Sequence, residues 1–112
     1  MIVFLRIFFI VVLVSMLAVT SWASTHVALW ELPGEIWRHP WFIATLFDAY
    51  WGFFTFYLWL AWRERTLLRQ VVWFVLIVLL GNIAMAGYML WIVFRLPTSA
   101  SMADVLLRRS AP

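Results

Sequence analysis

One carboxylate stands where carboxylates are scarce: Asp48 falls inside an aromatic, apolar stretch of this 112-residue chain. An ionised side chain deep in a membrane helix costs about 2.5–3.5 kcal/mol on insertion scales, so it pairs, takes a proton or meets water. The chemistry open to Asp48 is proton or cation handling, or anchoring of a buried polar site. Two plainer readings stand beside it: a hydrogen-bonded tie between helices, and a shallow position wetted from outside. Hydroxyl and amide side chains recur at compatible places, namely Ser15, Thr45, Thr55, Asn82 and Tyr88. With Asp48 they form the candidate buried polar cluster. Counted inward from the span ends at about 1.5 Å per residue, Asp48 lies about 10 Å deep, Tyr88 about 9 Å and Asn82 about 18 Å. The expected layer is therefore Ser15, Asp48 and Tyr88, with Asn82 one turn deeper against Gly52 and Thr55.

Other chemistry is sparse. His26 and His39, with Glu31 and Glu35, offer nitrogen and oxygen donors for zinc or copper, but their spacing is not diagnostic and no metal is assigned. The absence of cysteine excludes disulfides, thiolate catalysis and iron–sulfur ligation. No Gly-rich phosphate loop, nucleophile elbow or HExxH occurs, so no catalytic or cofactor-binding residue is assigned either. No histidine falls within a span to hold haem between helices. Glu64 between Arg63 and Arg65 reads as a solvated charge cluster at the inner surface, with contact to lipid headgroups as the sharper alternative.

The elements that must position these groups are three apolar runs, about residues 2–22, 41–62 and 71–94. Each is long enough at about 1.5 Å per residue to cross a hydrocarbon core about 30 Å thick. A hydrophobic share of 67% against 12% charged residues lies far from soluble proteins, where about a quarter of residues are charged. Continuous rather than alternating apolarity selects helices over barrel strands. The expected fold is all-α: a transmembrane three-helix bundle with antiparallel neighbours and short loops, formed by residues 1–96. Residues 97–112 are expected as a mobile tail with an amphipathic turn. On the second span Trp41, Thr45, Asp48, Gly52, Thr55, Trp59 and Trp62 follow steps of four and three, a stripe expected to face the other two helices.

Basic residues near span ends set orientation. Arg6 and the joint with Arg63, Arg65 and Arg69 place the N-terminus inside. The loop with Arg38 and the C-terminus near Arg95 then fall outside, although Arg108 and Arg109 pull the other way. Ser21-Trp22-Ala23 after the first run also has the small residues of a signal-peptide cleavage site; its length and late basic residue favour a retained span.

The stretches MLAVTSWAS from Met16, PWFIATLFDAY from Pro40 with Gly52-Phe53, and GNIAMA from Gly81 resemble a family of small multi-span integral membrane proteins of unknown function, found in bacteria and, in related form, in plants. The likeness covers the three runs and not the tail. It implies a membrane location, a bacterial inner membrane included, and a three-helix architecture, and it brings no activity to transfer.

The expected function is a non-enzymatic integral membrane protein, an accessory, assembly or scaffold subunit. The lipid bilayer, other membrane subunits or further copies of the chain are its partners, and nucleic acid is not, because the basic residues are scattered over loops. Two alternatives stay open. One is an oligomeric carrier of small solutes, ions or protons that uses Asp48. The other is a lipid- or quinone-binding protein with a cleft lined by Tyr50, Trp51 and Tyr88.

Overall fold

The computed structural model describes residues 1–107, and every regular element among them is helical. Arg108 and Arg109 lie outside the described residues. Helix α1 spans Ile2–His26. A single 3-10 turn at Leu29–Glu31 and the short α2, Gly34–Trp37, lead to α3, Pro40–Arg63. Then come α4 (Leu67–Leu80), α5 (Asn82–Val93) and α6 (Met102–Leu106). Helix α3 starts where its sequence allows: His39 Nδ1 accepts from the Trp41 N–H at 3.2 Å, and Pro40 fills the first turn, where a missing N–H costs nothing.

The third apolar run is not one helix. Gly81 stands at φ 57°, ψ −122°, a conformation closed to L side chains, and it separates α4 from α5 without a loop. Its N–H still donates to the Ile77 carbonyl at 2.8 Å, and its carbonyl accepts from Met85 at 3.1 Å. The joint therefore leaves no backbone group of Gly81 unpaired. Helix α5 then folds back along α4, so that the Trp73 and Tyr88 rings meet edge to face at 4.9 Å between centroids.

Helix α4 runs antiparallel to α3. The Tyr57 hydroxyl donates to the Gln70 carbonyl at 2.9 Å, and the Tyr50 hydroxyl to the Val78 carbonyl at 3.2 Å. Helix α1 packs chiefly on α5. Arg6 reaches across to the ends of that pairing, with Nε donating to the Val93 carbonyl at 3.2 Å and Nη2 to that of Leu96 at 2.8 Å. The N-terminus, the α3–α4 joint and the C-terminal end of α5 thus gather at one end of the molecule.

Three expectations change here. Because α5 returns, residues 94–107 sit beside the N-terminus rather than at the opposite end. Residues 101–107 are not a free tail: Ser101 and Asp104 form a reciprocal cap on α6, Val105 is buried, and the Trp59 indole N–H donates to the Leu106 carbonyl at 3.1 Å. And the α3 stripe turns outward, since Trp41, Thr45, Asp48, Gly52, Thr55 and Trp62 are all exposed. The face that packs on the hairpin is the aromatic one carrying Tyr50, Phe53 and Tyr57. The core that results joins Ile2, Leu60, Ile77, Tyr88, Ile92 and Val105.

One helix among those described, α1, is long and apolar enough to cross a membrane; a signal sequence has the same properties. Helix α3 has the length, at 24 residues, but Asp48 and its Trp and Tyr residues lower its hydropathy. Helices α4 and α5, of 14 and 12 residues, reach only about 21 and 18 Å by helix rise.

Candidate functional site

The expected polar cluster does not assemble. Ser15, Thr45, Asp48, Thr55 and Asn82 are exposed, and only Tyr88 is buried. The hydroxyls need no partner across a helix interface because they bond within their own helices. Thr45 donates to the Trp41 carbonyl and Thr55 to that of Trp51, both at 2.8 Å, and Ser15 donates to the Val12 carbonyl at 3.0 Å. Asp48 makes no side-chain hydrogen bond or ion pair among the described residues. Tyr50 and Trp51 share a shallow groove of about 300 Å3 on α3 with Leu46, Phe47 and Phe54, and Tyr88 lies elsewhere.

Tyr88 instead belongs to a polar centre at the shared end. Its ring is held edge-on or tilted by Phe56, Trp59, Trp73 and Trp91, with centroids 4.9–6.2 Å away. Its hydroxyl donates to Glu64 Oε1 at 2.9 Å. Glu64 is 2% exposed, the one charged residue in the core of the described chain. Burial of a carboxylate is tolerable only with charge and hydrogen bonds around it. Both are supplied: Arg63 Nη1 stands 3.8 Å from Oε1 and Arg69 Nη1 stands 3.7 Å from Oε2. Arg63 is itself held, donating through Nε to the Val105 carbonyl at 3.2 Å and through Nη1 to the Tyr88 oxygen at 3.4 Å.

The joint between α3 and α4 is tied down by Gln70. Its amide donates to the carbonyls of Ala61 at 2.8 Å and Glu64 at 2.7 Å, which are left over at the end of α3. Arg95 lies over the Trp91 ring with its guanidinium carbon 4.5 Å from the centroid, and Arg69 approaches the same ring at 5.3 Å. The centre thus links α3, α4, α5 and α6 through one carboxylate and a set of guanidinium groups. It has charge and donors, and its hydroxyl, that of Tyr88, is committed to Glu64. The two histidines stand apart from it: His39 caps α3, and His26 donates through Nδ1 to the Trp22 carbonyl at 2.8 Å.

Glu64 was legible only as a surface charge, because a span running straight through residues 71–94 carries Tyr88 to the far end. The signal that finds the centre is Gly81. Taken as a reversal, it returns Tyr88 to the level of the Arg-Glu-Arg joint.

A second feature is a largely apolar groove of about 480 Å3 between α1, α3, α5 and α6, lined by Phe9, Val12, Phe56, Asn82, Met85 and Met89. No curated protein and no solved structure matches the chain. A family model covers residues 1–111, and with them every element described above: the chain belongs to the family described as Protein of unknown function (DUF1475).

Proposed function

We propose that this chain is a non-enzymatic integral membrane protein that serves as an accessory, assembly or scaffold subunit. The observation that carries the membrane part is where apolar side chains point. Phe4, Ile7, Val11, Val14 and Trp22 on α1, Phe47, Trp51 and Leu58 on α3, and Leu68, Val71 and Leu79 on α4 are all exposed. A surface of this kind extends far beyond the few hundred Å2 of apolar patch that soluble monomers tolerate. In this reading α1 and α3 cross the bilayer, and α4–α5 is a re-entrant hairpin that enters and leaves on one side. Gly81 at its apex is buried against Phe53, as non-helical backbone at membrane depth must be. Arg6, Arg63, Arg65, Arg69 and Arg95 then share the cytoplasmic side, and Arg38 alone of the described arginines lies on the other.

The subunit part draws on Asp48. An outward carboxylate on a lipid-facing helix calls for a donor from another chain. Purified from native membranes in mild detergent, the protein is expected to run with a second component in fixed ratio, and Asp48→Leu to lose it. Recovery of this chain alone from wild-type membranes would rule the subunit reading out. The apolar groove beside Asn82 favours a second reading, binding of a lipid tail or quinone; a purified protein that retains no such molecule by native mass spectrometry counts against it.

A further inference from the structure

The shared polar end holds more positive charge than its carboxylate uses. A recess of about 160 Å3 is lined by Arg63, Glu64, Arg69, Trp91 and Arg95, three guanidinium groups against one carboxylate. Glu64 is already engaged by the Tyr88 hydroxyl and by the guanidinium groups of Arg63 and Arg69. Arg95 forms no hydrogen bond among the described residues, and it is held over Trp91 by ring contact. Arg69 faces the carboxylate at 3.7 Å with one nitrogen, while its side chain is 46% exposed. Two guanidinium groups therefore converge on one indole ring with most of their donors unspent, although like charges repel. Each guanidinium carries five N–H donors in a fork that matches the oxygens of a phosphate. The recess has room for roughly five waters at about 30 Å3 each, enough for a tetrahedral oxyanion.

We infer that this recess binds a phosphate oxyanion, gripped by Arg69 and Arg95, with Glu64 and Tyr88 fixing the position of Arg63 behind them. The phosphate belongs either to an anionic lipid headgroup or to a small soluble phosphate. The lipid source rests on the membrane reading above. That reading is tested separately by resistance to carbonate extraction, so failure of one does not entail failure of the other.

Two measurements on the full chain test the site. In the first, the detergent-solubilised protein is mixed with phosphatidylglycerol or phosphatidylcholine of matched tails, and bound lipid is counted by native mass spectrometry. The second measures the shift in unfolding temperature on adding inorganic phosphate, against chloride at equal ionic strength. Loss of a charge-assisted contact weakens binding about ten-fold or more. Arg69→Gln with Arg95→Gln is therefore expected to reduce phosphatidylglycerol retention, or abolish the phosphate shift, by at least about that factor. Arg65→Gln, on the same joint but outside the recess, is expected to leave both within about two-fold. Lipid retention alone assigns a headgroup, and a phosphate shift alone assigns a soluble ligand. The inference is overturned if neither ligand binds, or if Arg65→Gln costs as much as the paired change.

Discussion

At the scale of single residues, the burial of Glu64 strips water from a carboxylate, and its partners offset that cost. Tyr88→Phe removes one hydrogen bond to a charged acceptor and is expected to lower stability by about 1.5–3 kcal/mol, read from thermal unfolding in detergent. Glu64→Ala removes the counter-ion of Arg63, whose side chain is only 13% exposed, and is expected to cost about 3–5 kcal/mol. The double variant should cost clearly less than the sum, because both changes strike one network. Additive losses would show that Tyr88 and Glu64 are not coupled. By contrast Ser15→Ala and Thr45→Val, at exposed hydroxyls bonded within their own helices, are expected to stay within about 0.5 kcal/mol. Sequence spacing could not separate these two kinds of polar residue. A threonine that bonds its own helix and a tyrosine that needs a distant acceptor look alike until neighbours are known.

At the scale of elements, Gly81 decides the architecture. A Cβ there would lie 2.6 Å from Phe53 Cζ, and the backbone at φ 57° resists any side chain. Gly81→Ala is expected to lose about 1–3 kcal/mol from conformation, with the steric conflict added. At Gly87 a Cβ would meet nothing within 4 Å, so Gly87→Ala should be neutral or gain up to about 1 kcal/mol from helix propensity. Equal effects from the two substitutions would remove the case for a reversal at Gly81. Helix α6 offers a second check. Val105 is 1% exposed, and Asp at that position should release residues 101–107, seen as faster proteolysis there than in the wild-type protein. Unchanged cleavage would mean that α6 is held by its backbone contacts alone.

At the scale of the whole molecule, the α4–α5 reversal brings both described ends of the chain to one side. The protein lacks cysteine, so single cysteines report position without background. In sealed vesicles, Thr66→Cys and Ser101→Cys should react with a membrane-impermeant maleimide from the same side, and Ser24→Cys from the opposite one. Labelling of Ser101→Cys together with Ser24→Cys would restore three crossings and reject the re-entrant hairpin. The outward stripe of α3 belongs to this scale as well. Its exposure leaves the Asp48 carboxylate facing away from the bundle, while Thr45 and Thr55 bond carbonyls of their own helix.

Composition and apolar run length, by themselves, determined that the chain is helical, because apolar runs this long, without the alternation of barrel strands, satisfy their backbone polar groups within a helix. Helices α1 and α3 begin at Ile2 and Pro40. Which side chains meet was decided only in three dimensions. A reversal at one glycine moves Tyr88 from the level of Asp48 to that of Glu64, and nothing local to Tyr88 or Glu64 announces it. Residue spacing fixes the face of a helix that a side chain occupies. The neighbour that face receives depends on where the following helix turns, and that follows from the fit of Gly81 beneath the Phe53 ring.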